Sequence, residues 1–276
     1  MSGASKSEDQ AQTTEKDEVT VVAEETGAQD APAASRDAAY WAKAVSTLKV
    51  GELPPDALNR NVEGRRVMSP IQGFGKMWQK TYKVSLTGAK ATPQEVIAAW
   101  KENFPRFWPE RNLFYGPLTG IAPGEVAVLS LAMPGRLKLS TGVLVLYADD
   151  ESFTLMTPEG HMFAGWITFS AHEEGDATVA QAQVLMRSND PIYEMGLAMG
   201  GHRKENKFWE HTLKSVAAHF SVKDAEVETQ LLCVDKKRQW NKARNVTKNS
   251  AIRSGMYATS APFRALAKPF RRKQSS

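Results

Sequence analysis

The sequence predicts an α+β domain: an antiparallel meander of short strands followed by one long helix. Three observations carry that prediction. Between residues 113 and 187, apolar runs at 126–132, 143–147, 153–156, 166–171 and 179–186 are separated by Pro-Gly, Asp-Asp, Pro-Glu-Gly and Glu-Glu-Gly-Asp. These are hairpin-type turn signals, and no helix-length segment intervenes. Residues 190–220 then change period. Ile192, Met195, Met199, His202, Asn206, Trp209, Leu213, Val216 and Phe220 step alternately by three and four, the spacing of one stripe down one helix. Third, a strand-like run at 77–86 and a strong helix start at Thr92-Pro93-Gln94-Glu95 precede the meander.

The elements follow in order. Residues 38–48 predict a short helix with Tyr40, Trp41, Val45 and Leu48 on one side, ended by Gly51-Glu52-Leu53-Pro54-Pro55. Residues 61–75 carry Gly64, Pro70, Gly73 and Gly75 and read as extended loop. Arg65-Arg66 within it has an anion-binding reading, but a solvated or core-paired role is the more frequent one. Trp78, Tyr82 and Val84 mark the first strand. In the helix that follows, Thr92 is the cap, Pro93 suits the first helical position and Glu95 completes a capping box. It runs through Val96, Ile97 and Trp100 and breaks near Pro105 and Pro109. Trp100, Phe104, Phe107, Trp108, Phe114 and Tyr115 surround that break and suit either a core or a lid. In the strands, Phe163, Ile167, Phe169 and Ala171 form one apolar parity. Ala180, Ala182, Val184 and Met186 form the next. Small alanines under a helix either leave volume or let the helix approach.

The ends differ in charge from the middle. Residues 1–37 hold nine acidic and three basic residues and no aromatic, which predicts an acidic disordered tail. Residues 236–276 hold twelve Lys or Arg and no acid, so the formal charge of +4 hides a slightly acidic middle. The expected organisation is a tail at 1–37, a short helix and lead-in at 38–75, the packed domain at 76–222 and a basic tail at 223–276. Lys236, Lys237, Arg238, Arg271, Arg272 and Lys273, with interleaved aromatics, suit an anionic membrane surface or nucleic acid. The bland reading is a solubilising tail. One cysteine, Cys233, leaves no intramolecular disulfide and argues against a cysteine metal site. No run approaches a membrane span, so the expected location is cytoplasmic, with peripheral membrane association through the tail.

Seven of the nine stripe residues are apolar, and the polar pair His202 and Asn206 sits mid-stripe, just after Gly200-Gly201. A stripe greasy at both ends and polar in the middle suggests a helix over a cavity, with the pair orienting the polar group of an apolar ligand. The alternative is that the two bond to each other or to the sheet, since a buried polar group without a partner costs about 1–3 kcal/mol. The glycine pair permits a kink or close packing. Metal ligation by His202 and Glu205 lacks a second ligand pair. Acid–base chemistry falls to His202, because Glu194 and Glu205 face inward only if the helix is rotated from this register. No nucleophile elbow and no phosphate loop is present.

This order of elements resembles the helix-grip fold of the START-like (SRPBCC) superfamily over roughly residues 76–222. The residues that carry the resemblance are Thr92-Pro93-Gln94-Glu95-Val96, Pro105-Arg106-Phe107-Trp108-Pro109, the run Gly160-His161-Met162-Phe163-Ala164-Gly165-Trp166-Ile167-Thr168-Phe169 and Asp190-Pro191-Ile192-Tyr193-Glu194. The wording is closest to an uncharacterised bacterial branch. The resemblance implies a curved antiparallel sheet of about seven strands wrapped around a long C-terminal helix, with a hydrophobic cavity between them. The expected function is then non-enzymatic binding or transport of a lipid-like or polyketide-like molecule. Its expected contacts are His202, Asn206, Met199, Trp209, Ile167, Phe169, Ala182 and Val184, with no cofactor and no metal. A cavity enzyme of cyclase or hydrolase type using His202, or an adaptor working through the basic tail, are the alternatives, since one fold hosts many functions.

Overall fold

The computed structural model describes residues 38–53, 57, 59, 61–116, 120–133 and 138–259. The acidic segment 1–37 and Arg271, Arg272 and Lys273 lie outside the described residues.

Eight strands form one antiparallel sheet: β1 Met77–Ser85, β2 Leu113–Tyr115, β3 Val126–Ala132, β4 Lys138–Ala148, β5 Ser152–Met156, β6 Phe163–Glu174, β7 Ala177–Ser188 and β8 Val227–Asp235. Their order is β2-β3-β4-β5-β6-β7-β1-β8. Helix α1, Pro93–Asn103, starts at the expected capping box, with Glu95 N donating to Thr92 Oγ1 and Thr92 N to the Glu95 carboxylate. A long segment after β7 crosses the same face of the sheet over β1, β7 and β8. This is the helix-grip arrangement.

The main core lies between these helices and the sheet. Phe169 and Ala171 of β6, Ala180, Ala182, Val184 and Met186 of β7, and Leu213, Val216 and Ala217 of the long segment are all buried in it. The aromatic group belongs here too. Phe104 is fully buried, with ring centroids 5.1 Å from Phe114 and Phe169 and 5.5 Å from Trp108 and Phe153. A second, smaller core forms on the opposite face. There Leu48 and Val62 pack on Val126, Val128 and Leu144, with Tyr115 beside them.

Three expectations need correction. The helix expected at 38–48 is a single turn at Ala38–Tyr40, after which Trp41 bridges to Tyr147. Leu48 alone of its four apolar residues is buried, because the segment runs extended along the second core.

The long helix is broken. Helix α2, Pro191–Gly196, is capped by Asp190, whose Oδ1 accepts from Ile192 N and Tyr193 N. Helix α3 is His202–His219. Between them Gly200 takes φ 106°, a left-handed value that favours glycine. That residue resets the helical phase. Tyr193, Glu194 and Leu197 are buried, whereas Ile192, Met195 and Met199 face solvent.

The packed domain does not end at residue 222. Strand β8 pairs with β1, and buried Arg187 at the end of β7 holds the junction, pairing with Asp235 and donating to Gly75 O (2.5 Å) and Lys237 O (2.9 Å). Beyond it, Gln239 N donates to Phe74 O, and helical turns at Trp240–Lys248 lead into α4, Ser250–Thr259. Asn249 donates to the α2 cap Asp190 (2.8 Å), and Ser250 N donates to Gly160 O. Much of the basic stretch is therefore built into the domain. The expected antiparallel sheet of about seven strands is present with eight, β2 and β8 being the two that no apolar run in the sequence marked.

Candidate functional site

Strand β1 places Trp78, Lys80 and Tyr82 on one parity, towards α3. Lys80 is a long cation only 1% exposed. An unpaired ammonium there would be costly to desolvate, and the first turn of α3 supplies its counter-charge. Lys80 Nζ lies 2.6 Å from Glu205 Oε2 and donates to Asn206 Oδ1 at 3.2 Å. Tyr82 Oη donates to the same oxygen at 2.9 Å. One turn before Asn206, the His202 ring meets Trp78 edge to face, with centroids 4.9 Å apart. Two buried polar atoms in this group have no hydrogen-bond partner: His202 Nδ1 and Glu205 Oε1.

Burial sets the protonation of the cluster. It pushes the His202 imidazole down to about 4, helped by the Lys80 charge. It pushes the Glu205 carboxyl upward, against the pull of Lys80. The Tyr82 phenol is raised by burial and by Glu205. His202 is therefore a neutral ring at neutral pH, able to accept or donate one hydrogen bond.

Sheet register brings four of the eight expected residues, Ile167, Phe169, Ala182 and Val184, into two rows beneath α3. Lys80 stands beside Val184, which stands beside Ile167, while Tyr82, Ala182 and Phe169 form the next row. Trp209 reaches Phe169 with centroids 5.6 Å apart. Phe169 stacks on Phe153 at 4.7 Å and meets Trp100 and Phe104, so rings fill the space at that level. Ile167 and Phe163, although on the helix-facing side of a central strand, keep partial solvent contact, as do His202 and Trp209. Met199 is not part of the group. It is 80% exposed on the far side of the Gly200 break.

Sequence reasoning missed Lys80, Trp78 and Tyr82 as site residues, and it set Glu205 aside because the register was wrong. A signal existed: Lys80 interrupts the inward parity Trp78, Tyr82, Val84. A lysine at such a position requires an acid from the facing element. Among the basic residues, Arg238 pairs with Glu194 at 2.9 Å, while Lys236 and Lys237 are exposed. Of Arg65-Arg66, Arg66 pairs with Glu159 and Arg65 is buried. Among the described residues no group of His, Cys, Asp and Glu is placed to hold a metal, and no helix is long and apolar enough to cross a membrane.

A second buried imidazole, His161, provides a test of the burial argument. Its Nδ1 lies 3.0 Å from Phe163 N, and burial pushes the ring down to about 4. In the unfolded chain it titrates near 6.5, so between these values the unfolded state binds more protons and stability falls as pH falls. The loss at pH 5 is about 2 kcal/mol for such a ring. Glu205 and Asp190, both raised by burial, act in the opposite sense. Urea denaturation of wild type and His161→Gln at pH 7.5 and 5 isolates the imidazole: the wild type is expected to lose more stability on acidification than the variant.

No protein-family model matches the chain, and no curated protein does. Solved structures align with about half of it. The di-domain ARO/CYC StfQ from the steffimycin biosynthetic pathway is 10% identical, with a TM-score of 0.43 over 53% of this chain and 51% of that one. A START superfamily protein from Mycobacterium smegmatis is 18% identical over 53% of this chain and 98% of that one, with a TM-score of 0.36. Ginseng major latex-like protein 151 from Panax ginseng is 15% identical over 53% and 99%, with a TM-score of 0.35. The chain thus spans about half the length of the first of these and nearly all of the other two. The site described above rests on its own geometry.

Proposed function

We propose that the protein binds, without chemical change, an apolar lipid-like or polyketide-like small molecule that carries one polar group. The polar group sits against His202 and Glu205 and the apolar body along Phe163, Ile167 and Trp209. The observation behind this reading is the juxtaposition of two unpartnered buried polar atoms with apolar side chains that the helix leaves partly uncovered. Few convergent polar groups in apolar surroundings are what small-molecule sites commonly offer. Asn206 is a positioning residue, since Tyr82 and Lys80 already occupy its oxygen.

The test is solvent extraction and mass spectrometry of the full chain purified from a bacterial host, alongside His202→Leu with Asn206 kept. A stoichiometric apolar molecule present in wild type and depleted in the variant is expected. Titration with a fatty acid and with a planar aromatic polyketide, read by tryptophan fluorescence, accompanies it. An empty extract together with no response to either probe overturns the reading.

A further inference from the structure

The outer edge of β8 is a strand edge that no described residue pairs with: β8 hydrogen-bonds β1 on one side, and it is the last strand in the sheet order. Exposed edges are commonly blunted by central charges or proline. This one has neither in its middle. Leu231, Leu232 and Val234 are 47%, 59% and 50% exposed. Register places them on both faces, Leu231 beside Lys80 on the helix side and Leu232 beside Gln79 on the other. The strand is irregular only towards its end, between Cys233 and Asp235.

We propose that a second copy of this chain occupies that edge, β8 pairing antiparallel with β8 about a two-fold axis at Leu232, to give one sheet through both protomers. The charges select this occupant and this direction. Asp224 and Glu226 precede the strand and Glu228 lies near its start, Lys236, Lys237 and Arg238 follow its end, and Leu231, Leu232, Cys233 and Val234 lie between; Asp235, the one acid at the basic end, is already paired with Arg187. Antiparallel self-pairing lays each acidic end over the partner's basic end, whereas parallel pairing sets like on like. Centring at Leu232 sets Leu232 against its own copy, Leu231 against Cys233 and Glu228 against Lys236. Each such apolar or opposite-charge cross-strand pair is stabilising. Lys236 and Glu228 are both exposed, and neither forms an ion pair among the described residues; the Glu228 carboxylate accepts only from its neighbour Gln230, at 2.6 Å. The interface is isologous, as a closed dimer requires.

Sedimentation or light scattering of the full chain over a micromolar range gives the first readout. A dimer is expected, weakened by salt as the end charges are screened. Leu232→Lys is expected to give a monomer with an unchanged thermal transition, because Leu232 faces away from the main core. Leu232→Cys in a Cys233→Ser background is expected to form an interchain disulfide on mild oxidation, while Ile71→Cys in the same background, more exposed at 73% against 59% but distant in sequence, does not. A monomer at every concentration overturns the proposal, as does equal cross-linking of both cysteine variants. Removal of residues 1–37 or 260–276 is a further control: a dimer that appears only then means the chain's own segment covers the edge, which also overturns it.

Discussion

Replacing Lys80 by methionine is expected to destabilise the fold by about 3–5 kcal/mol, the cost of leaving a buried charge without its partner. Lys80 is 1% exposed, and the Glu205 side chain around its ammonium is almost as well covered. The carboxylate left behind has one oxygen already lacking a partner. Its route of escape is to take up a proton, which burial already favours. The deficit of Lys80→Met relative to wild type should therefore shrink as pH falls towards 5. The double variant Lys80→Met/Glu205→Leu removes both charges and is expected to return within about 1 kcal/mol of wild type or to exceed it. Urea denaturation of the two singles and the double closes the cycle. A double variant as unstable as the sum of the singles would show that the two residues act independently, contrary to the 2.6 Å pair.

Phe104→Ala carries the other large effect, about 3–5 kcal/mol. Its ring is the common neighbour of Trp108, Phe114, Phe153 and Phe169, which come from four different segments. None of these can move into the vacated volume without leaving its own partners, so a cavity remains and the loss lies at the upper end. Met199→Ala supplies the contrast. It deletes a comparably apolar side chain that is 80% exposed, and the unfolding free energy from urea denaturation is expected to stay within about 0.5 kcal/mol of wild type. Together the two substitutions separate membership of the core from membership of the sequence stripe.

That separation bears on how much was legible from sequence. The meander was legible because hairpin turns and strand alternation are local, and Thr92 to Glu95 was legible because a capping box closes within one turn. Of the candidate residues, Ile167, Phe169, Ala182 and Val184 were grouped from strand alternation, and sheet register sets these four in adjoining rows, while His202, Asn206 and Trp209 are carried by α3. Met199 was included wrongly because a periodicity was carried across Gly200, where a φ of 106° breaks the phase on which the periodicity rests. The same break explains why Glu194 is buried while Ile192 is not. Strand β8 was missed for a different reason. Its helix side, Val227, Thr229 and Cys233, is only partly covered, and Leu231, Leu232 and Val234 are apolar but exposed, so its residue types do not announce which face is buried. Lys80 and Glu205 are separated by 125 positions, and no local pattern couples them.

The position of β1 has a consequence for synthesis. It lies between β7 and β8, although it is the first strand of the chain. A ribosome delivers Met77–Ser85 early, yet β7 begins at Ala177 and β8 only at Val227. Until then the nascent chain holds a strand with both hydrogen-bonding edges open and a lysine whose counter-ion has not been made. Strands β2 to β6 pair each with the next and need no such wait. The sheet is therefore assembled as a ribbon first and seamed last, and that late, long-range closure is the step at which folding should be slowest and the growing chain most exposed to wrong partners.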